Sequence, residues 1–97
     1  MQGFEWDAEK AALNLKKHGV SFEEAESVFM DSFGLEELDE EHSQAEVRLV
    51  LIGLSSSLRV LVTVYTERGS KIRLISSRKA NAKERKAYQA YRQSSGG

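Results

Sequence analysis

From Leu58 to Thr66 the chain is rich in β-branched and aromatic residues, and from Lys71 to Arg78 apolar positions alternate with charged or polar ones. Glu67-Arg68-Gly69-Ser70 separates the two runs, so the pattern predicts a β-hairpin. Glu46 to Leu54 predicts another strand, with Val47, Leu49 and Leu51 on one face and Arg48, Val50 and Ile52 on the other. Because both faces are largely apolar, it reads as a central strand. A short strand over Phe33 to Leu38 and a brief one within Met1 to Trp6, turning Phe4 and Trp6 to one side, complete the β pattern. The other periodicities are helical. Asp7 stands where an N-cap belongs, and the run from Ala8 ends at Lys16-Lys17-His18-Gly19, with cations in the last turn and glycine just beyond it. Ala8, Ala11, Ala12 and Leu15 share one face of this helix, while Leu13 points away, toward solvent or a partner. Ser21 and Glu24 have capping-box spacing ahead of the apolar stripe Phe22, Ala25, Val28 and Phe29, which gives out near Met30 or Asp31. Asn81 and Glu84 repeat that spacing before a last helix, whose docking face is Ala80, Glu84, Ala87, Tyr88 and Tyr91.

With short connections throughout, the strands from residue 33 to 78 most simply form an antiparallel meander with the helices packed against one face. The expected class is therefore α+β, with two N-terminal helices and one C-terminal helix. Residues 1–93 make one domain, since 97 residues support one modest core. Residues 94–97, Ser-Ser-Gly-Gly, have nothing to pack with and are expected to be a disordered tail. Apolar residues at 40% and charged residues at 30% belong to an ordinary globular protein rather than a disordered one. The absence of cysteine removes disulfides, a thiol nucleophile and a Cys-based zinc site, and two histidines far apart in sequence give no metal ligand set. No metal or cofactor is expected. No stretch is apolar enough to cross a bilayer and no leader opens the chain, so a cytoplasmic location is expected.

The net charge of −1 conceals a strong asymmetry. Residues 1–57 carry four basic and thirteen acidic side chains, a net of −9, and residues 58–97 carry ten basic and two acidic, a net of +8. Along the hairpin and last helix stand Arg59, Arg68, Lys71, Arg73, Arg78, Lys79, Lys83, Arg85, Lys86 and Arg92, with only Glu67 and Glu84 among them. A surface of that kind attracts a polyanion. Alternatively the halves neutralise each other across an interface, with Glu36-Glu37-Leu38-Asp39-Glu40-Glu41 as the densest acidic run.

Several motifs in order now carry a likeness. Phe4-Glu5-Trp6-Asp7, the spaced set Lys10, Asn14, Lys17-His18-Gly19-Val20, Phe22, Ala25 and Val28-Phe29, then Glu46-Val47-Arg48 before Ile52-Gly53, Val64 to Arg68, Arg73 to Ala80 and Glu84 to Tyr88 together resemble the BrnT family. The likeness spans residues 4 to about 91, and Ser77 stands where family members often have a small residue such as alanine. The resemblance implies a RelE-like fold and a ribonuclease toxin that arrests translation. It also implies a small BrnA-like antitoxin whose ribbon-helix-helix part binds operator DNA. A dimeric antitoxin of that type would give a two-plus-two assembly.

Metal-free RNA cleavage needs a base for the 2′-hydroxyl, donors for the charge developing on phosphorus, and an acid for the leaving 5′-oxygen. Arginine suits the donor role through its planar fork, and Arg68, Arg73 and Arg78 lie on one hairpin. Glu67, His18 and Tyr88 are the candidates for proton transfer, His18 favoured by the chemistry of imidazole and Glu67 by the motif likeness. Lys17, Lys71, Lys79 and Arg85 are candidate RNA ligands. Each has a structural alternative: Glu67-Arg68 as solvated turn charge, His18 as a cation at a helix C-terminus, Tyr88 as core and Glu84 as a capping residue. The alternative function is a non-catalytic module that binds nucleic acid or the antitoxin and acts as a co-repressor.

Overall fold

The computed structural model describes residues 3–42 and 46–95. Met1, Gln2, Ser43 to Ala45, Gly96 and Gly97, and with them parts of the expected first strand, polar loop and tail, lie outside the described residues. The elements are β1 (Gly3–Glu5), α1 (Ala8–His18), α2 (Phe22–Ser27), β2 (Leu35–Leu38), β3 (Leu49–Leu54), β4 (Val60–Arg68), β5 (Lys71–Lys79) and α3 (Ala82–Ser95). Single 3-10 turns over Val28–Met30 and Glu40–His42 follow α2 and β2.

The helix ends follow from their caps. Asp7 accepts hydrogen bonds from the amides of Glu9 and Lys10, and Gly19, at φ 69°, closes α1 in the left-handed region that glycine enters without a Cβ clash. Ser21 accepts from the Glu24 amide at 3.0 Å. The Glu24 carboxylate does not reach back to complete the box; it bonds Ser55 Oγ at 2.6 Å and Arg59 Nε at 3.0 Å instead. Asn81 and Glu84 form the full reciprocal pair at 2.8 Å each way. The last helix continues through Ser94 and Ser95, into the stretch expected to be a tail.

Four strands form the expected meander, but the sheet is mixed. Its order is β1-β5-β4-β3-β2, and β1 joins the β5 edge in parallel, pairing Gly3 with Lys71 and Glu5 with Arg73. A three-residue strand carries no register signal of its own, so its partner was not readable from alternation. The helices also divide between the two faces rather than sharing one. Val20, Phe22, Ala25 and Val28 pack with Leu51, Leu61, Tyr65, Ile72 and Leu74, joined by Phe4 and Trp6 as their common side predicts. On the opposite face Ala80 and Tyr88 pack with Ile52 and Val62. The central strand β3 is apolar on both faces because each face carries its own helix layer. Gly53 lies where the Val28 carbonyl would sit 3.3 Å from a Cβ, so the 3-10 turn after α2 comes close to β3.

The buried residue of α1 is polar. Asn14 is buried, whereas Leu15, placed on the packing face by periodicity, is 52% exposed and Leu13 is 65% exposed. Asn14 Nδ2 donates to the carbonyls of Ser77 (2.7 Å) and Val20 (2.9 Å), and its Oδ1 accepts from the Ser77 amide at 3.0 Å. The side-chain amide thus bonds the β5 backbone as a neighbouring strand residue would, beyond the point where β1 ends. Beneath it the Ser77 and Thr63 hydroxyls pair at 2.8 Å. Replacing Asn14 with alanine leaves three buried backbone groups without these partners, and each costs ~1–3 kcal/mol when unsatisfied. Asn14→Ala is expected to lower the melting temperature by roughly 10 °C or more for a domain of this size. A thermal melt within about 2 °C of the parent would show that the bond is dispensable.

Candidate functional site

The arginines that the hairpin supplies are each engaged. Arg59 is paired with Glu24 and also donates to the Gly19 carbonyl at 3.1 Å. Arg68 reaches Glu46 at 3.3 Å on the surface, Arg73 reaches Glu5 at 2.9 Å, and Arg78 forks onto Glu84 with two bonds of 2.8 Å. Strand register explains these pairs. Glu5 is the parallel neighbour of Arg73, and Arg78 lies opposite Val62, on the face that α3 covers and next to the Glu84 end of that helix. The Arg78 guanidinium, opposed by burial and aided by the Asn81 amide, holds the Glu84 carboxyl down at about 2.

Glu67 and Arg68 sit at the turn end of β4, and alternation turns their side chains to opposite faces of the sheet. Glu67 is exposed and lies on the face of Tyr65, whose buried hydroxyl donates to Glu36 and whose pKa is raised chiefly by burial. Tyr88 is 2% exposed, and its hydroxyl donates to Asp31 Oδ2 while accepting from Arg92 Nη1 at 3.0 Å. Burial raises the Tyr88 pKa, and the hydrogen bond to Asp31 raises it further. Burial would also raise Asp31, but bonds from Tyr88 and from the Leu54 and Phe33 amides outweigh it and leave the carboxyl below its ordinary value. This cluster fastens α3 to the end of β3, a role for Asp31 that the sequence did not announce. The Arg92 guanidinium also lies 4.9 Å from the centre of the Phe33 ring. Lys71 and Lys79 are exposed on β5, and Arg85 donates to the Ala80 carbonyl at 2.8 Å.

A different arrangement surrounds His18. Lys10, Leu13, Asn14, Lys16, Lys17 and His18 of α1 and Ile75 of β5 line an open groove of about 640 Å³. No carboxylate lines it, and none of its three lysines nor His18 has an ion pair among the described residues. Ile75 enters the groove because the β4–β5 register slips between Val64 and Tyr65, which pair with Ser76 and Leu74 and leave Ile75 unmatched. Two sequence candidates, His18 and Lys17, are thus brought together, and Glu67, Tyr88 and the hairpin arginines are not among the groove's lining. Lys10 belongs with Lys17 on helical geometry, at i, i+7 on one face of α1, whereas Lys16 lies about 100° round the helix from Lys17 and nothing in the alternation of β5 marks Ile75. Among the described residues no group of three or more His, Asp or Glu side chains could hold a metal ion, and no helix is long and apolar enough to cross a membrane.

The profile of the family described as "Ribonuclease toxin, BrnT, of type II toxin-antitoxin system" matches residues 6–84. A 1.1 Å crystal structure of the Brucella abortus ribonuclease toxin BrnT superposes with a TM-score of 0.66 at 24% identity, covering 84% of this chain and 99% of that one. No curated protein matches the sequence.

The depressed Glu84 carboxyl gives a signed pH dependence. A carboxyl whose folded pKa lies near 2, below its ordinary 4.5, stabilises the fold fully above that ordinary value and loses the contribution as pH falls toward 2. Glu84→Gln is expected to lower the melting temperature at pH 7 and to flatten its decline between about pH 4.5 and pH 2, as read by melts across that range. A variant declining as steeply as the parent would place the acid sensitivity elsewhere, at Glu24 or Asp31.

Proposed function

This chain belongs to the BrnT family of ribonuclease toxins of type II toxin–antitoxin systems, and we propose that it cleaves RNA without a metal, by attack of the 2′-hydroxyl on the adjacent phosphorus. The observation that carries this reading is the groove beside α1, where imidazole stands among lysines that no carboxylate pairs with among the described residues. Phosphates of the strand bind Lys10, Lys16 and Lys17, which also offset the extra negative charge of the pentavalent phosphorus. His18 accepts the 2′-hydroxyl proton as the new P–O bond forms. The imidazolium then returns a proton to the departing 5′-oxygen, leaving a 2′,3′-cyclic phosphate and a 5′-hydroxyl.

The hairpin arginines act as phosphate positioners in this scheme. Glu5 and Glu84 occupy the forks of Arg73 and Arg78 as a phosphate would, so either arginine reaches RNA only by exchanging its carboxylate. Arg68, Lys71, Lys79 and Arg85 extend the cationic track. Glu67 at the turn and the buried Tyr88 have no step in it. As a type II toxin the chain implies an antitoxin. We take that partner to be BrnA-like, dimerising through a ribbon-helix-helix part in a two-plus-two complex that carries operator DNA on the antitoxin, in the cytoplasm. We read the sheet and its helices as RelE-like.

Purified protein in EDTA is expected to cut RNA and leave the two ends named above. Products with a 5′-phosphate, or a strict need for a divalent cation, would refute the mechanism. His18→Ala is expected to slow cleavage by ~10²–10⁴-fold with RNA affinity nearly unchanged. Lys17→Ala should instead weaken binding and lower its salt dependence by about one phosphate contact. If Arg78→Ala loses as much rate as His18→Ala with its melting temperature unchanged, the reaction centre lies on the hairpin face. A non-catalytic co-repressor would leave RNA intact in every case.

A further inference from the structure

The groove holds more than phosphodiester chemistry asks for. Leu13 and Ile75 supply an apolar floor between the lysines, and Leu13 is 65% exposed on a helix whose caps and buried tie are complete without it. Ribose phosphate gains from the cations and gains little from a branched aliphatic floor. A protein segment bearing both carboxylates and apolar side chains gains from both.

We propose that the groove between α1 and β5 is the docking site of the antitoxin, filled by a segment that sets apolar side chains against Leu13 and Ile75 and carboxylates against Lys10, Lys16, Lys17 and His18. This deepens the function proposed above and rests on it for the identity of the partner class. Charge selects the occupant. A second copy using the same groove would bring two sets of unpaired lysines together, a like-charge contact that a two-fold interface repeats on both sides. An acidic segment meets instead four cationic or cationisable groups that have no carboxylate of their own among the described residues. Such a segment silences the enzyme by covering His18, and its carboxylates occupy the sites of the substrate phosphates. Association is accordingly steered by charge and retained by the apolar floor.

Leu13 and Leu15 make the test specific. Both are exposed leucines on α1, but Leu15 lies outside the groove. Alanine is a better helix former than leucine, so both substitutions keep the helix. Calorimetric titration of each toxin variant with the purified antitoxin encoded beside it gives the affinity, and RNA cleavage by the free toxin gives the activity. Leu13→Ala is expected to weaken antitoxin binding tenfold or more and by a larger factor than it changes cleavage, while Leu15→Ala changes neither. His18→Ala is expected to abolish most cleavage and still bind the antitoxin. Parental affinity in Leu13→Ala overturns the proposal, as does equal weakening in Leu13→Ala and Leu15→Ala. Loss of RNA binding in Leu13→Ala with antitoxin affinity intact also overturns it, by making the groove an RNA site only. Self-association of the free toxin that Leu13→Ala abolishes would overturn it in favour of a second copy. If the parent cuts no RNA but Leu13→Ala still loses the antitoxin, the ribonuclease reading fails and the docking site stands.

Discussion

A single side-chain amide sets the position of α1, and the site follows from that position. Beyond Arg73 no strand among the described residues lies along the outer edge of β5, and backbone groups buried under a helix need partners. Asn14 supplies both a donor and an acceptor to Ser77 and keeps a second donor bond for the Val20 carbonyl, so one residue joins the helix, the sheet and the loop into α2. Asparagine is a modest helix former, and its presence mid-helix reflects this tie rather than helix propensity. With Asn14 turned inward, helical spacing sends Lys10, Leu13 and Lys17 to one side of the contact, and His18 stands one turn beyond Asn14 at the end of the helix. The rotation of α1 about its axis is therefore fixed by hydrogen bonds, where most amphipathic helices are oriented by apolar burial.

The charge asymmetry of the sequence resolves into two populations. Arg59, Arg68 and Arg73 join the basic half to Glu24, Glu46 and Glu5 of the acidic half, and Arg78 turns to Glu84 within its own half. The lysines of the groove have no ion pair among the described residues, and they belong to the acidic half. The expectation that the two halves neutralise each other thus holds for Arg59, Arg68 and Arg73. Arginine, with its planar fork, takes the bidentate structural pair, while the strongly hydrated ammonium of lysine stays in solvent.

Much of the fold was written locally. The caps at Asp7, Ser21 and Asn81, the Gly19 stop and the start of β5 at Lys71 each arise from a few adjacent residues and stand where the pattern put them, while β4 runs on through Glu67 and Arg68, which the pattern gave to the turn. What was not legible depends on distant partners. The parallel seat of β1, the split of the helices between two faces and the exposure of Leu15 are decided by residues distant in the sequence. At the site His18 and Lys17 could be named from residue type, and Ile75 could not, because a register slip rather than alternation brings it there. The arginines drew attention by number, but counting charges does not say which already have a carboxylate.

Two distant stretches of the chain meet at this groove. Asn14 and Ser77 are 63 positions apart and Glu5 and Arg73 are 68 apart, so α1 and β1 have no sheet to join until β5 exists. On a ribosome adding about 5–20 residues per second, roughly 3–14 s separate the synthesis of each member of these pairs. Through that interval His18 and its lysines are on a helix without a floor. The protein is therefore synthesised without a formed groove, and whatever recognises that groove finds it only once the C-terminal hairpin has closed against the first twenty residues.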